Sequence, residues 1–135
     1  MSDAEAFFDT SVLLYLLAAD AQKADRVESL LEQSGAISVQ VLNEFTAVAT
    51  RELRLSFDEV REVLGVVRTV CVTHPLTVKH YDRAVEIAER YRFSFYDSVI
   101  VASALLADCK TLYCEDLQHR QIIDKQLTVI NPFSN

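Results

Sequence analysis

The sequence predicts an α/β domain, with a mainly parallel sheet of about five strands carrying helices on both faces. Three observations carry this. Apolar runs of strand length alternate with stretches of helical period. A chain of 135 residues, half of them hydrophobic, can bury one core without disulfides or metals. With only two glycines and two prolines, few positions suit the tight turns that an all-β fold needs in numbers. Residues 1–135 read as one domain, with no repeat, low-complexity tract or linker.

The elements follow in order. Ala6-Phe7-Phe8 is a short apolar strand ending at Asp9, and Asp9-Thr10-Ser11 supplies capping types for a helix through Val12 to Leu17. A second helix spans Lys23 to Gln33, stopped by Ser34-Gly35, and Ala36 to Val39 forms a second strand. From Gln40 to Leu53 the apolar residues Val41, Leu42, Phe45, Val48, Ala49 and Leu53 recur three and four apart, as on one face of a helix. Ser56 and Glu59 form a capping box for a helix through Val60, Val63, Leu64 and Val67, and Thr69 to Thr73 is a third strand. Thr77 caps a helix running to Tyr91. Ser94 opens another, apolar nearly all round from Val99 to Ala107 and therefore buried on most sides. Thr111 to Cys114 is the fourth strand, Gln118 to Asp124 a short polar helix, and Leu127 to Ile130 the fifth strand.

The formal net charge of −7 is the wrong sign for a protein that grips nucleic acid through a general basic surface. Cys71, Cys109 and Cys114 are odd in number and form no Cys-x-x-Cys pair, so they read as reduced core thiols. The first charges are acidic and the apolar stretch Val12–Ala19 is too short for a bilayer, which predicts neither signal peptide nor membrane helix and a cytoplasmic protein.

Against that composition the placement of the acids stands out. Ligands of an open parallel sheet sit beyond the carboxyl ends of its strands. Asp9 and the pair Glu115-Asp116 each directly follow a strand, Asp97 lies in the first turn of the buried helix, and Glu44 lies in the first half of the helix after the second strand. Four separated acids could thus converge at one edge. Carboxylates that close repel one another unless cations neutralise them, and oxygen donors without His or Cys suit Mg²⁺ or Mn²⁺. Each acid also has a structural explanation. Asp9 can be a helix cap, Asp97 the carboxylate of a capping box with Ser94, and Glu115-Asp116 a turn. Glu44 lies at the border of its apolar stripe and Glu52 inside it, so periodicity does not choose between them. His74, His80 and His119 lack metal-ligand spacing, and the scattered arginines read mostly as solvated faces.

The strings Phe8-Asp9-Thr10-Ser11-Val12-Leu13, Gln40-Val41-Leu42-Asn43-Glu44-Phe45, Ser94-Phe95-Tyr96-Asp97-Ser98 and Thr111-Leu112-Tyr113-Cys114-Glu115-Asp116-Leu117, with the terminal Ile130-Asn131-Pro132-Phe133, together resemble the PIN domain, and most closely the VapC-type toxin nucleases. The resemblance covers essentially the whole chain. It implies a three-layer α/β/α domain and a Mg²⁺ or Mn²⁺ site on Asp9, Glu44, Asp97 and Asp116, favouring Glu44 over Glu52. Thr10, Ser11 and Glu115 would support those ligands. It also implies cleavage of single-stranded or looped RNA, often tRNA, to 5′-phosphate and 3′-hydroxyl ends, an antitoxin partner that blocks the site, and a homodimer. Cys114 is a departure, standing where relatives often carry Ser or Thr.

On this reading bound cations activate a water and turn the acidic crevice into a phosphate site. The shortage of basic residues predicts weak, salt-sensitive RNA binding that depends on shape and loops. Two rivals are a phosphoacceptor receiver domain, which would need an acceptor Asp where strand three ends in Thr73-His74-Pro75, and a non-catalytic interaction domain of the same fold. A phosphatase of the Asp-x-Asp type fails because Ser11 occupies the second position.

Overall fold

The structure, a computed structural model, describes residues 5–134; Asp3, part of the acidic start of the chain, lies outside them. Strand β1 (Ala6–Phe8) buries Phe7 and Phe8 and ends where Asp9 turns the chain. Asp9 keeps an extended backbone, and its carboxylate accepts from the Ser11 N–H at 3.2 Å, satisfying one of the unpaired donors that open helix α1 (Thr10–Leu13). The helix tightens into a 3₁₀ turn over Leu14–Leu17, after which Asp20 caps α2 (Ala21–Leu31).

Gly35 opens β2 (Gly35–Ser38). A Cβ there would stand 2.5 Å from Cε2 of Phe8 and 3.1 Å from the Ala6 carbonyl oxygen, so only glycine allows this approach to β1. Helix α3 (Val39–Arg51) starts on the residue expected to end the strand, because Ser38 caps it through the Val41 N–H at 3.4 Å. The Ser56–Glu59 capping box is present in both halves and opens α4 (Phe57–Val70). That helix takes Thr69 and Val70 into its last turn, so β3 is Cys71–His74. Helices α5 (Val78–Tyr91) and α6 (Phe95–Leu106) follow, and every residue of α6 from Ser98 to Leu105 is buried, as its unbroken apolar run predicts. Then come β4 (Thr111–Tyr113), β5 (Ile122–Ile123) and β6 (Leu127–Ile130).

One expected element is absent. Gln118–Asp124 is not a helix: it is a turn that leads into β5, a sixth strand, antiparallel to β6. Arg120, Asp124 and Lys125 all adopt positive φ, between 51° and 71°, which a right-handed helix forbids. Asp124 and Lys125 form the centre of a turn closed by the Gln126 N–H on the Ile123 carbonyl at 3.1 Å, and the β-branched Ile122 and Ile123 pair with Thr128 and Leu127.

The sheet order is β3-β2-β1-β4-β6-β5, parallel throughout except for β5. The chain runs outward from β1 to β2 and β3, then returns to the other side of β1 for β4. Right-handed connections in these two directions place helices on opposite faces. They also make the junction of β1 and β4 the point where strand order reverses, where such sheets bind ligands. Phe7, Phe8, Ile37, Phe45, Ile100 and Leu112 fill the core beneath it. All three cysteines are buried thiols. No helix among the described residues is long and apolar enough to cross a membrane.

Candidate metal centre

Asp9 and Asp116 leave the carboxyl ends of β1 and β4, and the Asp9 N–H donates to the Tyr113 carbonyl at 2.9 Å, tying the two strand ends together. Asp9 is only 4% exposed. Its Oδ2 accepts from the Ser11 hydroxyl at 2.5 Å and from the Cys114 thiol at 3.5 Å, which leaves Oδ1 without a donor among the described residues. An oxygen of Asp9, the Cys114 sulfur and an oxygen of Asp116 all lie within 4.8 Å of one another. Burial pushes the Asp9 carboxyl up to about 6; the Ser11 bonds pull against this, and the charges of Asp116 and Glu44 add to it. Asp116 also shifts upward, through burial and then the charges of Asp97 and Glu115.

Glu44 reaches the same cleft from α3. Its Oε1 accepts from the Thr10 hydroxyl at 2.9 Å and its Oε2 from the Gln40 amide at 3.2 Å, so two neighbours fix its orientation. Asp97 sits in the first turn of α6. Its N–H donates to Ser94 Oγ at 3.2 Å, but its carboxylate accepts no hydrogen bond among the described residues. The expected capping box is therefore only half made, and the acid is left to the cleft. Glu115 is engaged elsewhere: both its oxygens accept from the Tyr15 hydroxyl, at 2.8 and 2.9 Å, and Lys23 stands 3.8 Å away. Asp116 has no such partner among the described residues.

These groups line one cleft of about 670 Å³, Asp9, Glu44, Asp97, Glu115 and Asp116 together with the apolar Leu14, Leu17, Ala18, Ala47, Val48 and Leu53. No Lys, Arg or His lines it. Glu52 is exposed at the end of α3 and does not line it. The histidines lie outside as well: His80 Nδ1 accepts from the Thr77 N–H at 3.2 Å, and His119 Nδ1 from the Asn131 N–H at 3.0 Å, so both serve local structure.

The donor set fits a divalent cation of the hard class. Four carboxylates converge without a cationic side chain to balance them, one of them in a nearly solvent-free position, and a metal ion satisfies that arrangement. Cys114 does not alter the class. Burial and the Asp9 charge hold its thiol far above the usual range, so it stays protonated and donates to Asp9. A thiol thus makes the contact to Asp9 at the position where Ser or Thr was expected.

The acids singled out from the sequence line one cleft, and their attachments are not visible in the sequence. Tyr15 looked like one more residue of an apolar run, and nothing in the spacing of Lys23 and Glu115, ninety-odd positions apart, announces that they meet. The hydroxyl of Tyr15, alone in the run Val12–Leu17, was the only available signal.

A family model described as the PIN domain matches residues 6–124. Among solved structures, the fold is similar to a toxin–antitoxin complex from Klebsiella pneumoniae, with 19% identity over 96% of this chain and 99% of that chain and a TM-score of 0.72. It is similar to VapC20 of Mycobacterium tuberculosis, described as a sarcin–ricin loop cleaving toxin, with 20% identity over 82% of this chain and 89% of that one and a TM-score of 0.67. VapBC2 of Rickettsia felis, bound to a promoter DNA fragment, matches with 16% identity over 93% and 98% and a TM-score of 0.66. At these identities the likeness is one of fold. No curated protein matches the sequence.

Proposed function

The chain belongs to the PIN domain family, and from that premise we propose that it is a Mg²⁺-dependent endoribonuclease that cuts single-stranded or looped RNA, with tRNA among the candidate substrates. We infer that it is the toxin of a toxin–antitoxin pair, cytoplasmic and homodimeric. The observation that carries the catalytic reading is the convergence of Asp9, Glu44, Asp97 and Asp116 on one cleft that no basic side chain lines.

Those four residues would hold the metal, Mg²⁺ or alternatively Mn²⁺. A divalent ion bound there supplies Lewis acidity to a scissile phosphate and lowers the pKa of an attacking water. The chain's own groups do the rest. Ser11 and Cys114 both donate to Oδ2 of Asp9 and so direct its open Oδ1 into the cleft, while Thr10 and Gln40 hold Glu44. Glu115 is held off by Tyr15 and Lys23, which favours Asp116 as the ligand from this pair. The catalytic reading requires the four acids to act without a His pair, as the two histidines bound into local structure would allow.

The partner reading draws on the mixed lining of the cleft. Apolar residues and acids on one cleft suit an antitoxin segment that buries aliphatic side chains against Leu14, Leu17, Val48 and Leu53 and inserts an arginine among the carboxylates. Solved relatives described as toxin–antitoxin complexes support it.

The direct test replaces Asp97 by Asn. The variant is expected to keep its circular dichroism spectrum and lose Mg²⁺-dependent RNA cleavage, and EDTA is expected to abolish cleavage by the unaltered protein. Cleavage that survives both changes would overturn the assignment. A non-catalytic interaction domain would have no activity for a co-purified small partner to inhibit.

A further inference from the structure

Five acids line the cleft, and the proposed site uses four of them. The fifth, Glu115, is the only one that pairs with a cation among the described residues: Lys23 Nζ stands 3.8 Å from its Oε2. Both Glu115 oxygens accept from the Tyr15 hydroxyl, at 2.8 and 2.9 Å, and that hydroxyl accepts in turn from Lys23 Nζ at 3.4 Å. A phenol has a single proton to give. A Tyr15 oxygen that accepts from an ammonium therefore turns its proton to the carboxylate.

An ion pair between two flexible side chains does not by itself hold a fixed geometry. Here an aromatic contact supplies it. The Tyr15 ring meets Phe133 edge-on with centroids 4.7 Å apart, and Lys23 Nζ lies 4.8 Å from the centre of the Tyr15 ring and 5.1 Å from that of Phe133. Phe133 is fastened in its turn: its N–H donates to Asn131 Oδ1 at 3.0 Å, and the preceding Pro132 carbonyl accepts from Arg26 Nε at 3.2 Å, on the same helix α2 that carries Lys23. The 3₁₀ turn after α1, helix α2 and residues 131–133 thus converge on one carboxylate. On the main-chain side, the Glu115 N–H donates to Ser11 Oγ at 3.2 Å, and the Ser11 hydroxyl donates to Asp9. The backbone of Glu115 is tied to the site while its side chain is held by Tyr15 and Lys23.

The chemistry of hard cations gives this restraint a consequence. Mg²⁺ demands near-octahedral geometry and keeps several waters, whereas Ca²⁺ takes about six to eight oxygen ligands in a flexible arrangement. A fifth carboxylate free in the cleft would add charge and oxygen donors that Ca²⁺ accommodates and Mg²⁺ does not, in place of the water that hydrolysis needs.

Resting on the ribonuclease reading, we infer that Tyr15, Lys23 and Phe133 form a lock that withholds the Glu115 carboxylate from the metal site and so sets its preference for Mg²⁺ over Ca²⁺. Tyr15 and Lys23 are positioning residues that act through Glu115.

Isothermal titration calorimetry with Mg²⁺ alone and with Ca²⁺ alone reads the lock without RNA. Tyr15→Phe keeps the ring on Phe133 and removes only the hydroxyl. It is expected to raise the ratio of Ca²⁺ to Mg²⁺ affinity roughly 10- to 100-fold, the scale of changes at groups that orient metal ligands, and to lower kcat for Mg²⁺-dependent cleavage with little change in KM. Lys23→Gln, which leaves the tyrosine in place, is expected to move the ratio the same way by less. The double variant Tyr15→Phe with Glu115→Ala is expected to return the ratio to that of the unaltered protein, a rescue that damage to the fold would not give. An unchanged ratio in both Tyr15→Phe and Lys23→Gln would overturn the lock. So would a raised ratio that persists in the double variant, which would assign the effect to packing around Tyr15. RNA cleavage by the unaltered protein, with the ratio unmoved in the variants, removes the lock and leaves the nuclease. Ratios that shift and recover as expected, without cleavage in either Mg²⁺ or Mn²⁺, remove the nuclease and leave the lock on a cation site. Binding of neither cation by the unaltered protein would overturn the lock and the metal site together.

Discussion

Asp9 does two jobs that pull its proton affinity in opposite directions. As the cap of α1 it accepts from Ser11, which favours the carboxylate; as a buried acid near Asp116 and Glu44 it resists ionising, and burial wins. The consequence for stability has a definite sign. In the metal-free protein the folded state holds the Asp9 proton up to about pH 6, the unfolded chain only to about pH 4, so ionised Asp9 disfavours folding at neutral pH and acidification between those values relieves it. The full effect is about 3 kcal/mol for a shift of this size. In EDTA, the stability of the unaltered protein relative to Asp9→Asn is expected to rise as pH falls from 7 to about 4, read as the difference in urea midpoints. Parallel pH profiles would show that Asp9 carries no such burden. Adding Mg²⁺ at pH 7 is expected to stabilise the unaltered protein alone. The position of Asp9 was legible because an apolar run ends on it. Its burden was not, since it comes first from burial in the folded core and only then from the charge of Asp116, more than a hundred residues away. Glu44 and Glu52 show the same limit: both fit the helical pattern, and what separates them is the family resemblance and the cleft, which Glu44 lines and Glu52 does not.

Among the elements, the β5–β6 hairpin is the least expected and the most deliberately fastened. Asp124, at its turn, accepts from Arg83 at 2.8 Å, from the Tyr91 hydroxyl at 3.0 Å and from Arg90, and its own N–H contacts the Tyr91 oxygen at 2.7 Å. Burial alone would raise its pKa, but the Arg90 and Tyr91 bonds and the nearby Arg83 hold it below the ordinary carboxylate value. Asp124→Asn is therefore expected to lower stability by about 2 kcal/mol, the scale of hydrogen bonds to a charged group. The deficit should be full above the unfolded carboxyl's pKa of about 4 and shrink only as pH falls through the lowered folded-state value, the opposite trend to Asp9. Urea midpoints of the variant and the unaltered protein, followed from pH 7 down to about pH 2, check both parts, and a deficit that does not shrink over that range would contradict the ion-pair account. This hairpin also marks where reading by pattern stops. The other helices and strands repeat an apolar period that survives in one dimension, and their observed ends differ by a residue or two where a cap such as Ser38 decides. Gln118–Asp124 has polar residues that suit a helix, but its conformation is set by positive φ at Arg120, at Asp124 and at Lys125 just beyond it, and by a latch onto α5, neither of which leaves a local periodicity.

For the whole molecule, the sheet order does what no segment could: reversing at β1 and β4, it collects five of the twenty acids, from four stretches, at one cleft. On the proposed ribonuclease reading, the surface outside a metal-loaded cleft would repel RNA over the screening distance of about 8 Å at physiological salt. Affinity must then come from a few local contacts, and the salt dependence reports how many. With about two phosphates engaged, the slope of roughly −0.7 per phosphate for single strands predicts a loss of about sevenfold in affinity between 50 and 200 mM salt. Fluorescence titration of a short RNA with the Asp97→Asn protein, at fixed free Mg²⁺, measures it. A loss of about 300-fold or more, as for six or more contacts at that slope, would require a basic surface that these thirteen Lys and Arg residues, outnumbered by twenty acids, do not provide. A shallow slope would place the discrimination between RNAs in the geometry of the cleft and in whether a nucleotide can leave its stack to enter it.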